Sequence, residues 1–269
     1  YKEWPKLVVR SVQKLNKRYI NIIVKRALDE DLKPRGDITT NLINFKNKKT
    51  KAQIIARQDG IIAGLDFCKA AFKHIGRDSI FISKIKDGSM VKKNKVIAEI
   101  IAKTKTILIA ERTALNFLNH ASGIATLTYQ FTKKVKKKTK ICCTRKTTPN
   151  LRLLEKYSVI KGGGYNHRYN LSDEILIKDN HISVNDNLKN LVKKAIKTKK
   201  TVTVEIENLK QLNQVLGLKF KRILFDNMST NLLRKCLKLC KNKYETEYSG
   251  NANLNTVSYT HLRAHETLL

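Results

Sequence analysis

The order of apolar and polar positions divides the chain into two parts with different patterns. From Trp4 to Leu28, apolar residues recur at spacings of about three to four, which predicts an amphipathic helix. A polar loop follows, and Asp66–Ile75 again has a helical pattern, while Asp87-Gly88 is a turn signal between strand-like segments. The predicted strands are Lys51–Arg57, Gly60–Ala63, Ser79–Lys84 and Val96–Ala102. This part is therefore predicted to be an α+β unit.

The second part begins with a long helical region, Ala110–Val135, which we expect to be interrupted near Ser122-Gly123. After it, short apolar strands alternate with helical stretches, and the strands start roughly 20–35 residues apart, the length of a βα repeat. The predicted strands are Lys140–Cys143, Glu174–Ile177, Thr201–Ile206, Arg222–Phe225 and Tyr244–Tyr248. Strands that alternate with helices at this spacing indicate a parallel sheet of the α/β-barrel kind.

Polar or charged residues follow each of these strands. They are Thr144-Arg145-Lys146, Lys178-Asp179-Asn180, Glu207-Asn208, Asp226-Asn227 and Ser249-Gly250. In an α/β barrel the carboxyl ends of all parallel strands open on one face, where functional groups collect. A face that combines cations, carboxylates and a Ser-Gly loop suits an anionic sugar-phosphate substrate with a metal ion. Strand ends are often polar without any function, so the pattern alone leaves the function open.

The chain carries 55 lysine and arginine residues against 22 acidic ones, a formal net charge of +33. Such a charge suits a nucleic-acid-binding protein. The basic residues are spread along the chain, however, with runs only at Lys133–Lys140 and Lys193–Lys200, and asparagine and isoleucine are also abundant. We therefore favour compositional drift in an AT-rich genome, and expect no nucleic-acid partner.

No apolar run approaches the ~20 residues of a membrane span, so no membrane partner is expected. The five cysteines do not suggest a disulfide framework in a chain of 269 residues. Cys236 and Cys240 lie four apart in a helical pattern and are interpreted as buried neighbours. The expected compartment is the cytoplasm.

Two motifs in the second part concentrate groups that bind anions. Thr144–Pro149 contains the adjacent cations Arg145 and Lys146, which are costly to desolvate unless an anion arrives. Lys161–Arg168 contains three consecutive glycines before His167 and Arg168, and glycine allows close approach of the backbone to a ligand. A glycine-rich loop alone is a weak signal, since many are simple turns.

These motifs and six others occur in the same order as in one known family. The set comprises Arg35–Thr40, Glu111–Asn116, Ser122–Thr126, Thr144–Pro149, Gly162–Arg168, Leu176–His181, Val204–Asn208 and Asp226–Met228. The chain resembles the quinolinate phosphoribosyltransferases from about Ala27 to about Asn255. The resemblance implies transfer of a phosphoribosyl group from phosphoribosyl pyrophosphate to quinolinate with decarboxylation. The products are nicotinate mononucleotide, pyrophosphate and CO2, in de novo NAD biosynthesis.

The same resemblance implies an α/β fold in two domains. Residues 1–109 are expected to form an N-terminal open α/β sandwich, and residues 110–256 a C-terminal incomplete α/β barrel that carries the active site. Family members are dimers or assemblies of dimers with shared active sites. Arg112 corresponds to a residue that reaches the active site of the neighbouring subunit.

The resemblance also implies roles for individual residues. The cations that bind quinolinate correspond to Arg145, Lys146, His167, Arg168 and Lys178. Lys146, Glu205 and Asp226 are the expected catalytic residues, with Lys146 acting electrostatically. The two carboxylates correspond to acidic residues near the ribose and near Mg²⁺, which is bound mostly through the substrate. Ser249-Gly250 and Asn251 correspond to a phosphate-binding loop, in which many members have glycine where Asn251 stands.

Two alternatives remain at this stage. A relative in the same family that acts on another aromatic acid is disfavoured because Arg112 and the quinolinate-binding cations are all present. A basic nucleic-acid-binding protein would show duplex binding with a steep salt dependence. It is disfavoured because no nucleic-acid-binding module is recognisable.

The end of the chain does not resemble the family. Residues 257–269 resemble one reading frame of a transposon-type sequencing adapter, and we expect this tail to be non-native. Family members continue for further residues that supply another barrel strand. We therefore expect an unpaired edge at the strand Tyr244–Tyr248, with poor folding or very low activity of this chain.

Overall fold

The computed structural model describes residues 12–43, 48–135, 139–184, 187–241, 243–250 and 253–254, and the backbone of 265–267. The described residues divide into two compact units. The first contains residues 12–129 and 147–163, and the second contains residues 130–146 and those from 164 onward. The domain boundary predicted between residues 109 and 110 stays a prediction. None of the described helices combines the length and the apolar character that a membrane span requires.

The first unit is an α+β arrangement built on two small antiparallel sheets. Strands β1, β5 and β3 form one sheet with β5 in the centre, and β2 pairs with β4 in the other. The elements are α1 (Lys17–Leu32), α2 (Ile38–Leu42), β1 (Lys49–Ile55), β2 (Gly60–Ile61), α3 (Leu65–Ile75), β3 (Ile80–Ser83), β4 (Met90–Val91), β5 (Val96–Lys103), α4 (Thr104–Lys134) and α5 (Arg152–Lys161). Phe67 of α3 packs between Tyr19 of α1 and Phe117 of α4, with ring centroids 6.0 and 5.0 Å apart.

Two sequence-based expectations about helices need correction. The helix predicted from Trp4 begins, within the described residues, only at Lys17, where the Asn16 side chain accepts the Arg18 N–H at 2.7 Å. Residues 4–11 lie outside the described residues. The predicted interruption at Ser122-Gly123 is wrong, because α4 runs unbroken through both. Interior glycine costs only about 1 kcal/mol, and the Ser122 hydroxyl is satisfied by the backbone of Ala63, accepting its N–H at 3.1 Å.

The second unit is a parallel sheet of seven strands in the order β7-β6-β12-β11-β10-β9-β8. Every neighbouring pair is parallel. The elements are β6 (Ile141–Cys143), β7 (Tyr165–Asn166), β8 (Ile175–Ile177), α6 (Asp179–Ser183), α7 (Leu188–Lys197), β9 (Val202–Ile206), α8 (Leu209–Val215), β10 (Arg222–Asp226), α9 (Thr230–Cys240), β11 (Glu245–Ser249) and β12 (His265–Thr267). All five strands predicted for this part are present, whereas the short β7 was missed.

The interior of the second unit explains why its strands read as apolar runs. All five residues of β9 are buried, as expected for a parallel strand covered on both faces. The main core joins Val204, Ile223 and Phe225 of the sheet to apolar residues of α7, α8 and α9. Cys236 and Cys240 are fully buried in this core, which confirms the interpretation of the pair as buried neighbours. Cys68, Cys142 and Cys143 are buried as well.

The expectation of an unpaired edge at β11 is wrong. Strand β12 lies between β11 and β6, with Glu247 opposite His265 and Glu266 opposite Ile141. The backbone groups of β11 are therefore paired on both sides, by β10 and by β12. The expectation of poor folding or very low activity rested on this unpaired edge and loses its support. The non-native origin of residues 257–269 stays a prediction.

A surface cluster in the first unit gives a pH-dependent prediction. The Glu99 carboxylate on β5 lies 2.9 Å from Lys51 Nζ and 2.8 Å from Lys84 Nζ, and it accepts from Gln53 Nε2 at 3.1 Å. Hydrogen bonds from Lys84, Lys51 and Gln53 lower the pKa of Glu99 from 4.5 to about 2. A lowered pKa contributes stability above the unfolded value, and this contribution is lost as the pH falls toward the folded value.

The thermal midpoint of Glu99→Gln is therefore expected to fall less steeply than that of the unaltered protein between about pH 5 and pH 2. Circular dichroism melts across this range measure the difference. Glu111→Gln, which alters an exposed glutamate of α4 in the same unit, is the matched control and should follow the unaltered curve. Parallel curves for Glu99→Gln and the unaltered protein would contradict the assignment.

Candidate active site

A cavity of about 330 Å³ opens at the carboxyl end of the parallel sheet in the second unit. Its lining comes from residues within, or directly after, six different strands. They are Thr144, Arg145, Lys146, His167, Arg168, Leu176, Lys178, Glu205, Leu224, Asp226 and Ser249. Strand-end residues that the sequence pattern placed on one face, among them Arg145, Lys178 and Asp226, therefore lie around one space, as the geometry of parallel strands requires. The predicted strand-end pair Glu207-Asn208 is not in the lining, where Glu205 stands instead.

One part of the cavity wall is cationic. Arg145 and Lys146 follow β6, Arg168 follows β7, and Lys178 follows β8. Burial lowers the pKa of Arg168, and the neighbouring positive charge of Arg145 lowers it further. An anion bound between the two guanidinium groups would offset the repulsion between their positive charges. The wall is therefore suited to a ligand with more than one negative charge.

Two carboxylates stand on the strands next to these cations. The Lys178 ammonium donates to Glu205 Oε2 at 2.9 Å, and the Glu205 side chain is only 7% exposed. Burial raises the pKa of Glu205, the Lys178 charge opposes this shift, and the nearby Asp226 reinforces it. Asp226 Oδ2 accepts from Asn227 Nδ2 at 3.0 Å. Glu205 and Asp226 form an acidic wall of the same cavity, which adjoins the cationic wall at Lys178.

The loop after β11 depends on a glycine. Gly250 has φ +99°, a region that L side chains rarely adopt. A Cβ at this position would overlap the Asn227 side-chain oxygen and would lie 3.0 Å from Asn227 Cα. The Asn227 N–H donates to Ser249 O at 2.8 Å, which ties this loop to the end of β10. The predicted third residue of the loop, Asn251, lies outside the described residues.

Arg112 is not brought to this cavity. It is exposed on α4 in the first unit and is absent from the cavity lining. Its predicted place in the active site of a neighbouring subunit stays a prediction. Sequence reasoning missed two apolar lining residues, Leu176 and Leu224. Each stands two residues before a charged lining residue on the same strand face, so the period of two along a strand was the signal that would have found them.

The donor chemistry at this cavity fits a hard cation held jointly with a substrate. Among the residues that the structure describes, no group of three or more His, Cys, Asp or Glu side chains is arranged to hold a metal ion. Glu205 and Asp226 supply carboxylate oxygens, the ligands that Mg²⁺ prefers. Mg²⁺ usually takes one or two carboxylates and completes its shell with phosphate oxygens and water.

Comparison with known proteins shows that most of the chain matches the models of one protein family. Residues 37–122 match the family model "Quinolinate phosphoribosyl transferase, N-terminal domain", and residues 124–263 match the model of the C-terminal domain. The chain belongs to the quinolinate phosphoribosyltransferase family. The resemblance seen in the sequence motifs is thereby confirmed.

Curated relatives of this family cover most of the chain. A probable nicotinate-nucleotide pyrophosphorylase [carboxylating] of Bacillus subtilis is 39% identical over 226 residues, which are 82% of this chain and 78% of the relative. A protein of the same description from Methanocaldococcus jannaschii is 40% identical over 230 residues, which are 83% of this chain and 79% of the relative.

Solved structures of the family confirm the fold class. The nicotinate-nucleotide pyrophosphorylase from Francisella tularensis matches with a TM-score of 0.89 at 33% identity, over 96% of this chain and 93% of that one. NadC from Streptococcus pyogenes matches with a TM-score of 0.88 at 35% identity, over 94% of this chain and 91% of that one. The chain thus has the family's N-terminal sheet domain and its C-terminal barrel-like α/β domain.

Proposed function

We propose that the protein transfers the phosphoribosyl group of phosphoribosyl pyrophosphate to quinolinate and releases CO2, pyrophosphate and nicotinate mononucleotide. The observation that carries this proposal is the cavity that is lined both by a cluster of cations and by a pair of carboxylates. Membership of the family supports it, as do the printed descriptions of relatives as carboxylating nicotinate-nucleotide pyrophosphorylases. The reaction is a step of de novo NAD biosynthesis.

The cationic wall suits the acceptor. Quinolinate carries two adjacent carboxylates on a pyridine ring. Arg145 and Arg168 each present several N–H donors in a planar fork, the geometry that binds a carboxylate through two hydrogen bonds. Lys146 adds a compact positive charge at the same wall. These groups hold the ring so that its nitrogen points at the donor, and positioning of this kind accounts for much of the rate of a two-substrate reaction.

The acidic pair suits the transfer itself. The ring nitrogen forms a bond to the anomeric carbon while the bond from that carbon to pyrophosphate breaks, and positive charge develops on the ribose. Glu205 and Asp226 stabilise this charge electrostatically. The bond to the 2-carboxylate then breaks, its electron pair enters the pyridinium ring, and a proton takes the place of CO2. No protein nucleophile is needed, so Lys146 acts through its charge.

We also propose Mg²⁺ as the cofactor, bound chiefly through oxygens of the pyrophosphate group, with Glu205 and Asp226 nearby. The ion would neutralise negative charge on the departing pyrophosphate. The Ser249-Gly250 loop, with its close backbone approach to Asn227, is proposed to bind a phosphate group of the same substrate.

A homodimer, or a larger assembly of dimers, is proposed to complete the site. Arg112 is exposed on α4 in the first unit and is absent from the cavity lining. A guanidinium contributed by a second copy would add a further partner for the two negative charges of quinolinate.

The function is tested with the purified 269-residue chain, quinolinate, phosphoribosyl pyrophosphate and Mg²⁺. We expect nicotinate mononucleotide and CO2 in equal amounts. The nucleotide is measured by chromatography and the CO2 by release of its label. Nicotinate in place of quinolinate is expected to give little product, because it lacks the second carboxylate. If circular dichroism shows that the chain is folded and no product forms, the proposal is refuted. Equal rates with nicotinate and quinolinate would refute the proposed specificity.

A further inference from the structure

A second group of charged side chains lies on the same inward face of the sheet, toward the amino ends of the strands. Arg222 begins β10 and stands four residues before Asp226, and Glu247 of β11 stands two residues before Ser249. Since alternate residues of a strand point to the same side, both share the face of the cavity-lining residues. Arg222, with its side chain 14% exposed, and Glu247, 3% exposed, form a buried charged cluster with Glu174 and Glu245.

This cluster contacts the imidazole of His167. The ring atom Nδ1 accepts the backbone N–H of Arg168 at 2.8 Å. The neutral imidazole must then carry its proton on Nε2. Nε2 lies 3.3 Å from Glu247 Oε2, 3.3 Å from Glu174 Oε1 and 3.3 Å from Arg222 Nη1. Glu247 Oε2 is buried and has no other hydrogen bond among the described residues, so the imidazole is the polar group that it faces.

Glu247 is held in place by its other oxygen. Arg222 Nε lies 3.3 Å from Glu247 Oε1, while the same guanidinium reaches Glu245 Oε2 at 3.1 Å and Glu174 Oε1 at 3.4 Å. Burial lowers the pKa of Arg222, but the carboxylates of Glu247, Glu174 and Glu245 outweigh this and raise it. Oε1 of Glu247 thus faces the guanidinium and Oε2 faces the imidazole, while the guanidinium also reaches the imidazole.

We propose that Glu247, oriented by Arg222, is a positioning residue that fixes the direction of the His167 imidazole at the wall of the quinolinate site. The inference rests on the proposed function. The fixed ring accepts the backbone N–H of Arg168 and thereby holds that residue's backbone in place. This backbone presents the Arg168 guanidinium to the cavity. Holding a binding side chain through a partner behind it is the usual way of keeping a site in its productive geometry.

Glu247→Gln is the sharpest variant because it keeps the volume of the side chain. A glutamine amide has one acceptor oxygen, so it can accept from Arg222 or from His167 but not from both. The KM for quinolinate is expected to rise at least about tenfold, since small misplacement of binding groups has large effects. The KM for phosphoribosyl pyrophosphate is expected to stay within about twofold, because Glu247 meets the cavity lining through His167, which belongs to the quinolinate wall.

Glu245→Gln is the matched control on the same strand face. It removes a carboxylate from Arg222, but Glu245 is 44% exposed and its carboxylate lies against Lys221 and Arg222. Both KM values are expected to match those of the unaltered protein. If Glu247→Gln does not fold, Glu247→Asp replaces it, because the shorter side chain keeps the charge but withdraws it from the imidazole. The same selective rise in the KM for quinolinate is expected.

Ring nitrogen chemical shifts of His167 provide a readout that a merely structural role would not move. Long-range proton–nitrogen spectra, assigned with His167→Gln, are expected to show a single tautomer protonated at Nε2 in the unaltered protein and in Glu245→Gln. In Glu247→Gln this signal is expected to shift or to divide. An unchanged ring spectrum overturns the proposal whatever the kinetics, and so does a changed spectrum without the selective rise in KM.

The spectrum does not depend on turnover. Absence of product from the unaltered, folded protein would therefore refute the proposed function, whereas the position of the His167 ring would still be read from its nitrogen shifts.

Discussion

Glu205→Gln is expected to lower kcat by about 10²- to 10³-fold, the usual loss when a group that stabilises developing charge is removed. Glu205 is 7% exposed and sits at the acidic wall of the cavity. Its amide replacement has the same shape and no charge, so the positive charge on the ribose loses a stabilising partner. Steady-state rates with both substrates at saturation measure the effect, and a kcat within threefold of the unaltered value would contradict the assigned role.

The pairing of Glu205 with Lys178 makes a double-mutant cycle informative. Lys178→Met leaves the buried Glu205 carboxylate without its 2.9 Å partner, and it also removes a cation from the quinolinate wall. Groups in direct contact couple by about 0.5–3 kcal/mol, so the double variant is expected to lose less than the product of the two single losses. Lys210→Met, at an exposed position on α8, is the control and is expected to be fully active. Strictly multiplicative losses would show that the two side chains act independently.

Gly250→Ala is expected to lower kcat/KM by about 10²-fold, since displacement of a binding group by about 1 Å has effects of this size. The new methyl group would overlap the Asn227 side-chain oxygen, and the φ of +99° adds strain of about 1–3 kcal/mol. The Ser249-Gly250 loop therefore has to move away from the end of β10.

Gly217→Ala separates the two causes. Gly217 also has a positive φ, +87°, but a Cβ there meets nothing within 4 Å. This control is expected to lose about 1 kcal/mol of stability in denaturant unfolding and to keep its kcat/KM. If Gly250→Ala loses stability like Gly217→Ala but keeps full activity, the loop has no part in binding the phosphate.

The elements that the sequence predicted best were the strands that alternate with helices in the second part of the chain. The strands β8 to β10 are short, largely apolar runs followed by polar residues, whereas β11 is largely polar. Each of the four was placed within one or two residues of its observed bounds. The collection of Arg145, Lys178 and Asp226 around one cavity followed from the parallel direction of these strands, whereas Glu205 was named from the family resemblance.

The elements that were missed depend on contacts that local pattern does not contain. Strand β7 has only Tyr165 and Asn166, too few for a period, and it exists because it pairs with β6. Helix α4 continues across Gly123 at a cost of only about 1 kcal/mol, and the Ser122 hydroxyl has its partner in Ala63, far away in the sequence. Glu247 was read only as part of a strand, because its relation to His167 arises when β11 and the loop after β7 are folded together.

The five buried cysteines have a practical consequence for work on this protein. Burial raises the pKa of the Cys68 and Cys142 thiols to about 12, and that of Cys240 to about 11. The thiolate is the reactive form, so these side chains resist oxidation and alkylation while the protein is folded. An alkylating reagent therefore reacts at a rate set by local opening of the structure. Cys68 reports on opening of the first unit and Cys142 on the strand that leads into the active site, so one mass-spectrometric time course compares the stability of the two regions in the same sample.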